Sequence, residues 1–214
     1  MIRIFIFSYA GDAAEATACV RCARMAVPCA SVTVVDDASH PVREETAEVL
    51  RSMGAEYVQS SWERHGNLRG PDCIRGMLSE MCRDAGDDDI LVKVDCDTAL
   101  LDGGWLRWME QRRWCQMYAS GSLVDGEWMI YGCLYALRGR VARRLLRDMD
   151  WENMDALAPE DWTIGRAALA SFPAALARID EPWSQRTPWS SWTAWCWYSL
   201  TASPERYASR FAVV

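Results

Sequence analysis

The chain has 214 residues, of which 50% are hydrophobic and 25% are charged, a composition typical of a folded globular protein rather than a disordered one. This length suits one domain with a sizeable core, although two small domains are also compatible with it. The formal net charge of -7 argues against nucleic acid as the main partner, because binding to a phosphate backbone requires a surplus of Lys and Arg.

The cysteines and the apolar segments bear on the cellular compartment. The nine cysteines are an odd number without a regular spacing, and Cys19 and Cys22 have no second pair to complete a zinc site. Free thiols are therefore expected, which favours a cytoplasmic protein. The N-terminal segment does not resemble a signal peptide, and no run approaches the ~20 apolar residues of a spanning helix. We therefore expect at most a peripheral membrane contact.

Strands and helices alternate along the first half of the chain, according to the hydrophobic periodicity and the turn residues. The predicted elements are a strand at 2–7, a helix at 13–25, a strand at 31–35, a helix at 41–53, a strand at 55–58, a helix at 72–84 and a strand ending at 95. This order implies parallel strands joined by crossover helices, as in α/β proteins.

The second half of the chain predicts a more mixed sheet. Asp102 and Gly103 precede a helix, and two strands are predicted at 114–119 and 128–137. Two further helices are predicted at 140–149 and 160–170. We therefore expect a single domain over residues 1–214, with one half at 1–100 and the other at 101–214.

The predicted strand that ends at Asp95 is followed closely by a second carboxylate, Asp97. In an extended strand these two side chains point to the same side, and Cys96 points to the other. Two carboxylates at one strand end suit a hard divalent cation such as Mg²⁺ or Mn²⁺, which is typically held by one or two carboxylates together with substrate phosphates. The alternative is a turn and helix-capping cluster, because Asp and Thr also favour those positions.

Three polar clusters follow predicted strands and are expected at one edge of the sheet. They are residues 8–12, the pair Asp36 and Asp37, and residues 95–97. In open α/β sheets, ligands bind beyond the carboxyl ends of the strands. The three clusters therefore form one candidate binding site.

Four segments of the chain together resemble the GT-A glycosyltransferases, which use nucleotide-diphosphate sugars. They are VTVVDDAS at 32–39, KVDCDTALL at 93–101, YGCLYALRG at 131–139 and PEDWTIG at 159–165, and they occur in the order of that family. The resemblance covers roughly residues 2–170. It implies a GT-A-like three-layer α/β/α sandwich with a mostly parallel central sheet, a nucleotide-binding half at 1–100 and an acceptor-binding half at 101–214.

The resemblance also implies an activity, namely transfer of a sugar from a nucleotide-diphosphate donor to a hydroxyl of a glycan or glycolipid acceptor. Mn²⁺ or Mg²⁺ is the implied cofactor, with Asp97 in direct contact with the metal and Asp95 on the metal or the donor ribose. Many relatives supply a further metal ligand, often a histidine, late in the chain. The only histidines here are His40 and His65, so the third ligand is left open.

Donor-binding residues follow from the same resemblance. Asp36 and Asp37 are expected to meet the nucleobase, and Ser8 and Tyr9 to contact the nucleotide through backbone groups and the ring. Arg69 is a candidate for neutralising the diphosphate. Each has an ordinary alternative, since acids and serines are also common in the turns that follow strands.

The acceptor side is expected at the segment PEDWTIG. Asp161 is the candidate general base that removes the proton from the acceptor hydroxyl, and Glu160 is its substitute. The alternative is that both acids stabilise the first turn of a helix through its dipole.

Two other activities stay open from the sequence. A sugar-phosphate nucleotidyltransferase also joins acidic pairs to an α/β sheet, but the segment after the first strand lacks the Gly-rich basic loop such enzymes normally have. A non-catalytic carbohydrate-binding protein would use the tryptophans crowded between 183 and 197 to bind glycan, because indole rings stack on sugars.

Overall fold

A computed structural model describes residues 1–64, 68–180 and 196–198. The strands are β1 (Ile2–Ser8), β2 (Ser31–Asp36), β3 (Glu56–Gln59), β4 (Ile90–Asp95), β5 (Thr98–Leu100), β6 (Met117–Val124), β7 (Glu127–Arg138), β8 (Ala177–Asp180) and β9 (Cys196–Tyr198). The helices are α1 (Ala13–Ala26), α2 (Glu44–Ser52), α3 (Pro71–Cys82), α4 (Gly104–Gln111), α5 (Gly139–Asp148) and α6 (Glu160–Ser171).

Within the described residues, seven strands form one sheet in the order β3-β2-β1-β4-β7-β6-β8. Six of them run in one direction, and β7 is antiparallel to its neighbours β4 and β6. A second, two-stranded sheet pairs β5 with β9. The predicted alternation of strands and helices and the mostly parallel sheet are confirmed.

Helices cover both faces of the sheet, because the central strands are apolar on both sides. Ile4 and Ile6 of β1 pack with α1, α2 and α4 in one core cluster. Phe5 and Phe7 of the same strand pack with α3, α5 and α6 in the other. This alternation along β1 produces three layers, as the fold prediction required.

Several element boundaries differ from those predicted. The second helix begins at Glu44 rather than at residue 41, because Arg43 is still extended (φ -64°, ψ 152°). The strands β6 and β7 extend into a longer hairpin, which turns at Asp125 and Gly126. Both of these residues have positive φ (51° and 84°), as the tight hairpin turn of right-twisted strands requires.

Two further features of the described part of the chain relate to the sequence expectations. No helix there is long and apolar enough to cross a bilayer. The cysteines described as free thiols are Cys19, Cys22, Cys29, Cys73, Cys82, Cys96, Cys115 and Cys133.

Candidate active site

The strand register brings the predicted polar clusters to one edge of the sheet. Ser8 at the end of β1 lies opposite Asp36 at the end of β2, and Phe7 lies opposite Asp95 at the end of β4. The three strands are parallel, so their carboxyl ends meet. The shared edge that the sequence predicted is therefore present.

Asp36 is buried and fully engaged within the protein. Its Oδ1 accepts hydrogen bonds from the Ser8 hydroxyl (3.0 Å) and the Asp37 amide (3.0 Å), and its Oδ2 accepts from the Tyr57 hydroxyl (2.5 Å) and the Val42 amide (2.7 Å). A carboxylate offers about four lone-pair positions. All four are occupied, so the geometry favours a structural role for the Ser8 and Asp36 side chains, and their contact with a nucleotide stays a prediction.

Asp37 organises the loop that follows β2. Its Oδ1 accepts from the amides of Ser39 (2.9 Å) and His40 (2.8 Å), and its Oδ2 accepts from the amide of Arg64 (2.6 Å). Burial acts to raise the pKa of Asp37, but these three amides and the nearby His40 hold it below its usual value. One lone-pair position of Asp37 is not used by these bonds.

Next to this loop, Tyr9, Asp12 and Arg64 form a connected group. The Arg64 guanidinium donates to Asp12 Oδ2 (2.9 Å) and to the carbonyl of Phe7 (3.3 Å), and its Cζ lies 5.0 Å from the centre of the Tyr9 ring. Asp12 Oδ2 also accepts from the thiol of Cys96 (2.7 Å). Tyr9 as a whole residue is 37% exposed, so part of it is accessible at this edge.

The acidic pair differs from its predicted geometry. β4 ends at Asp95, and Cys96 and Asp97 form a turn, so the expected strand alternation across the three residues is wrong. The Cys96 thiol reaches Asp12, and the turn still leaves Asp97 close to other carboxylates. Burial, followed by the charges of Asp95 and Asp12, raises the pKa of Asp97 to about 7.

A buried lysine lies beside Asp95. The Lys93 ammonium donates to Asp95 Oδ1 at 2.7 Å and to the carbonyl of Gly132 on β7, and it lies 3.4 Å from Glu160 Oε2. Its side chain is 1% exposed. Burial acts to lower the pKa of Lys93, but the charges of Asp95 and Glu160 outweigh it and hold that pKa above its usual value.

Glu160 and Asp161 open α6 and face different surroundings. Glu160 is buried, and its Oε1 accepts from the Tyr135 hydroxyl. Asp161 is half-buried; its Oδ2 accepts from the amide of Gly132 (3.2 Å), and its Oδ1 accepts from the amide of Trp162 (2.7 Å). The two acids predicted for the acceptor side thus connect, through Lys93 and Gly132, to the acidic turn.

Arg69 lies next to the start of α6. Its backbone pairs with Pro159 in an isolated bridge, immediately before the two acids of α6. Its buried Nε makes no hydrogen bond within the described residues. The structure therefore places Arg69 beside the start of α6 rather than at the ends of β1 and β2, and its contact with a diphosphate stays a prediction.

The predicted metal ion would have to be held by the side chains of the acidic turn. Among the residues with a described position, no three or more His, Cys, Asp or Glu side chains are grouped to hold a metal ion. Asp97 and Asp95 do fit a divalent cation that takes its other ligands from phosphate and water. A cation bound there would also offset the negative charges of Asp95 and Asp12 that lie near Asp97.

The other D-x-D pair near β4 serves the fold. Asp87 pairs with Arg143, and Asp89 accepts from the N-terminal amine (2.9 Å) and the amide of Gly86 (2.9 Å). These contacts lie at the opposite end of β4. The tryptophans between 183 and 195, and His65, lie outside the described residues.

Three residues of the site have contacts that the sequence pattern did not predict: Asp12, Arg64 and Lys93. Asp12 was part of a recognised cluster but had no role assigned. Arg64 lies in a polar loop and carries no distinguishing signal. Lys93 did carry one, since it interrupts an apolar strand and is the only lysine in the chain.

The burial of Lys93 leads to a prediction about chemical reactivity. An amine-directed acylating reagent should modify one amine of the folded protein, the N-terminal one, and two amines in denaturant. The reason is that the side chain of the lone lysine is 1% exposed, whereas Met1 is 72% exposed and its amine pairs with the partly exposed carboxylate of Asp89. Mass spectrometry after proteolysis checks this, and rapid acylation of Lys93 in folded protein would show that the described burial is wrong.

Glu160 leads to a prediction about pH. Burial raises its pKa from 4.5 to about 7, although Lys93 acts in the opposite direction. Between these values the folded chain binds a proton that the unfolded chain lacks, so the free energy of unfolding should fall as the pH rises from about 4.5 through about 7. Glu160→Gln removes this group, and denaturant unfolding should show a flatter pH profile than wild type. Equal profiles would contradict the raised pKa.

Comparisons with known proteins agree with this architecture. No protein-family model and no curated protein sequence matches the chain. Several solved structures do match it. An active-site mutant of LgtC aligns with 99% of this chain and 95% of its own, at a TM-score of 0.59 and 15% identity.

Two further structures give similar alignments. The galactosyltransferase LgtC in complex with donor and acceptor sugar analogs aligns with 100% of this chain and 97% of its own, at a TM-score of 0.56 and 18% identity. TarS of S. aureus aligns with 84% of this chain and 57% of its own, at a TM-score of 0.57 and 13% identity. Likeness at these identities establishes the fold. The chain has the GT-A fold.

Proposed function

We propose that this chain is a glycosyltransferase that moves a sugar from a nucleotide-diphosphate donor to an acceptor hydroxyl. The observation that carries the proposal is the junction at the sheet edge. There, the buried Lys93 joins Asp95 of the acidic turn (Asp95–Asp97) to Glu160. Gly132, which accepts a hydrogen bond from Lys93, donates its amide to Asp161. Sugar transfer needs a site for an anionic leaving group next to a base for the acceptor. A divalent cation held at the acidic turn would supply the first, and Asp161 would supply the second.

The donor side comprises the ends of β1, β2 and β4. Tyr9 offers an exposed ring to the nucleotide, and Asp37 retains a lone-pair position for a base N–H. Asp36 and Ser8 hold this loop in place, and Arg69 is the candidate for the diphosphate if the bound donor extends toward α6.

Asp97 and Asp95 would hold a divalent cation, Mn²⁺ or Mg²⁺. When bound, such a cation supplies Lewis-acid stabilisation of the diphosphate. Asp95 Oδ1 already accepts a hydrogen bond from Lys93. Asp97 is therefore the better candidate for direct contact, with Asp95 using its second oxygen on the metal or the ribose.

Asp161 is the proposed general base for a single displacement at the sugar. A base must reach the acceptor hydroxyl and must be free to take a proton. Glu160 is 3% exposed and is held by Tyr135 and Lys93. Asp161 is half-buried, and both of its described hydrogen bonds come from backbone amides, which orient the carboxylate without neutralising it.

The partners follow from the same site. LgtC, with which the chain shares its fold, has been crystallised with donor and acceptor sugar analogs, which supports a sugar donor and a sugar-containing acceptor here. A glycan or glycolipid is the proposed acceptor class. Free thiols among the described cysteines are compatible with the proposed cytoplasmic location.

A thermal-shift screen tests donor binding. UDP-, GDP-, CMP- and dTDP-sugars are each added with and without Mn²⁺. A ligand that binds only the folded state stabilises it by about 2.7 kcal/mol at a hundred times its dissociation constant, so a true donor should raise the melting temperature visibly. We expect one nucleotide class to do so, with a larger shift when Mn²⁺ is present. No shift with any of them would contradict donor binding.

A further inference from the structure

Lys93 is unusual both in the sequence and in the structure. It is the only lysine among the 214 residues, and arginine supplies every other basic side chain of the 23 Lys and Arg. It lies in the centre of the sheet on β4, with 1% of its side chain exposed. A buried ammonium is costly unless it is paired and hydrogen-bonded, so its surroundings should explain its presence.

Three oxygen atoms surround the ammonium. It donates hydrogen bonds to Asp95 Oδ1 at 2.7 Å and to the carbonyl of Gly132, and it forms an ion pair with Glu160 Oε2 at 3.4 Å. A compact ammonium with three donors suits acceptors arranged around one point, whereas the planar fork of an arginine does not. The arrangement of these three oxygen atoms around one point explains why this position carries a lysine in a chain whose other basic residues are arginines.

The side chain of Lys93 connects β4 and β7 just beyond the last pair of their backbone ladder. The ladder between β4 and β7 runs from Ile90↔Arg138 to Val94↔Leu134. Beyond that pair, the connection between Asp95 on one strand and Gly132 on the other runs through the Lys93 side chain. The amide of Gly132 in turn holds Asp161. One side chain therefore joins the donor-side carboxylate to the strand segment that orients the proposed base.

We propose that Lys93 is a positioning residue. It fixes the position of the acidic turn that begins at Asp95 relative to the acceptor-side acids Glu160 and Asp161. This inference rests on the proposed glycosyltransferase function. In this role Lys93 contacts neither substrate, and it governs how well a bound donor and a bound acceptor are aligned. A misplacement of about 1 Å at a reacting centre can cost on the order of 10²-fold in rate.

The competing account is that Lys93 only neutralises the buried Glu160 and so serves the fold. Lys93→Met cannot separate the two accounts, because it leaves Asp95 and Glu160 without their shared cation and lowers both stability and activity. The double variant Lys93→Met with Glu160→Gln can separate them. It removes the deeply buried charge of Glu160, whose side chain is 4% exposed, whereas the remaining carboxylate, Asp95, is 20% exposed and can be hydrated. The amide oxygen introduced by Glu160→Gln can still accept a hydrogen bond from the Tyr135 hydroxyl.

The experiment compares wild type, Lys93→Met, Glu160→Gln and the double variant in melting temperature, kcat and the KM for donor and acceptor. All rates are measured well below the lowest melting temperature, so that every variant is folded. We expect the double variant to recover the melting temperature of Glu160→Gln, yet to have a kcat about 10- to 100-fold below that variant, with both KM values within about threefold.

Two results would overturn the proposal in distinguishable ways. If wild type transfers sugar and the double variant matches Glu160→Gln in kcat, Lys93 serves only the fold, and the proposed function stands. If wild type transfers no sugar from any donor, both the function and this inference are wrong.

Discussion

Asp161→Asn is expected to lower the rate of sugar transfer by about 10²- to 10⁴-fold, the range that a general base typically contributes. The donor affinity should stay near that of wild type, because Asp161 lies at the start of α6 and is bonded to Gly132 rather than to the acidic turn. Steady-state kinetics for transfer, together with calorimetry for nucleotide binding, would measure the two quantities separately.

Glu160→Gln is the matched control for this variant, since it alters the neighbouring acid by the same chemistry. It should reduce transfer less than Asp161→Asn does, because Glu160 is buried and held by Tyr135. A first-turn acid with only a helix-dipole role would cost about 0.3–1 kcal/mol of stability and little activity. Full turnover by Asp161→Asn with a slightly lowered melting temperature would therefore refute its role as base.

Asp97→Asn is expected to abolish most of the Mn²⁺-dependent part of nucleoside diphosphate binding, with a loss of roughly 10- to 100-fold or more in affinity. Asp97 is the proposed direct ligand of the cation, and an amide in its place removes the carboxylate that a hard divalent cation prefers. Isothermal titration of UDP or GDP with and without Mn²⁺ measures the metal-dependent part of the nucleotide affinity directly.

Asp87→Asn is the corresponding control, because Asp87 belongs to the other D-x-D pair that flanks β4 and pairs with Arg143 on the surface. It should leave nucleotide binding unchanged. Unchanged metal-dependent affinity in folded Asp97→Asn would show that the metal is not held at this turn, or that none is used.

The sheet edge could be predicted because each buried parallel strand, and the point where it ends, can be recognised from a short stretch of sequence. Buried runs such as Ile90–Val94 mark the strands, and the polar residues that follow mark their ends. The α/β alternation then places Ser8, Asp36 and Asp95 at one edge, as the registers confirm. The strands β5, β8 and β9 could not be predicted in this way. Each has only three or four residues, and none lies between two predicted helices as the equally short β3 does.

The side-chain roles could be predicted less well, since they depend on long-range contacts. One of the hydrogen bonds that Asp36 accepts comes from Tyr57, which lies 21 residues further along the chain. The contact between Lys93 and Glu160 joins residues 67 positions apart, by subtraction of their numbers. A turn at Cys96 and Asp97 replaces the expected alternation, because β4 ends at Asp95, as predicted, whereas the alternation requires extended backbone through Asp97.

Donor cleavage by the purified protein tests the central claim most directly. The nucleotide-sugar that stabilises the protein in the thermal screen is incubated with wild type, Asp97→Asn and Asp161→Asn in the presence of Mn²⁺, with a panel of glycan and glycolipid acceptors. We predict release of the nucleoside diphosphate and a glycosylated acceptor by wild type, and a strong loss of both products in each variant. Binding of sugars or nucleotides by wild type without any such release, for every donor and acceptor tried, would contradict a glycosyltransferase and favour a carbohydrate-binding protein.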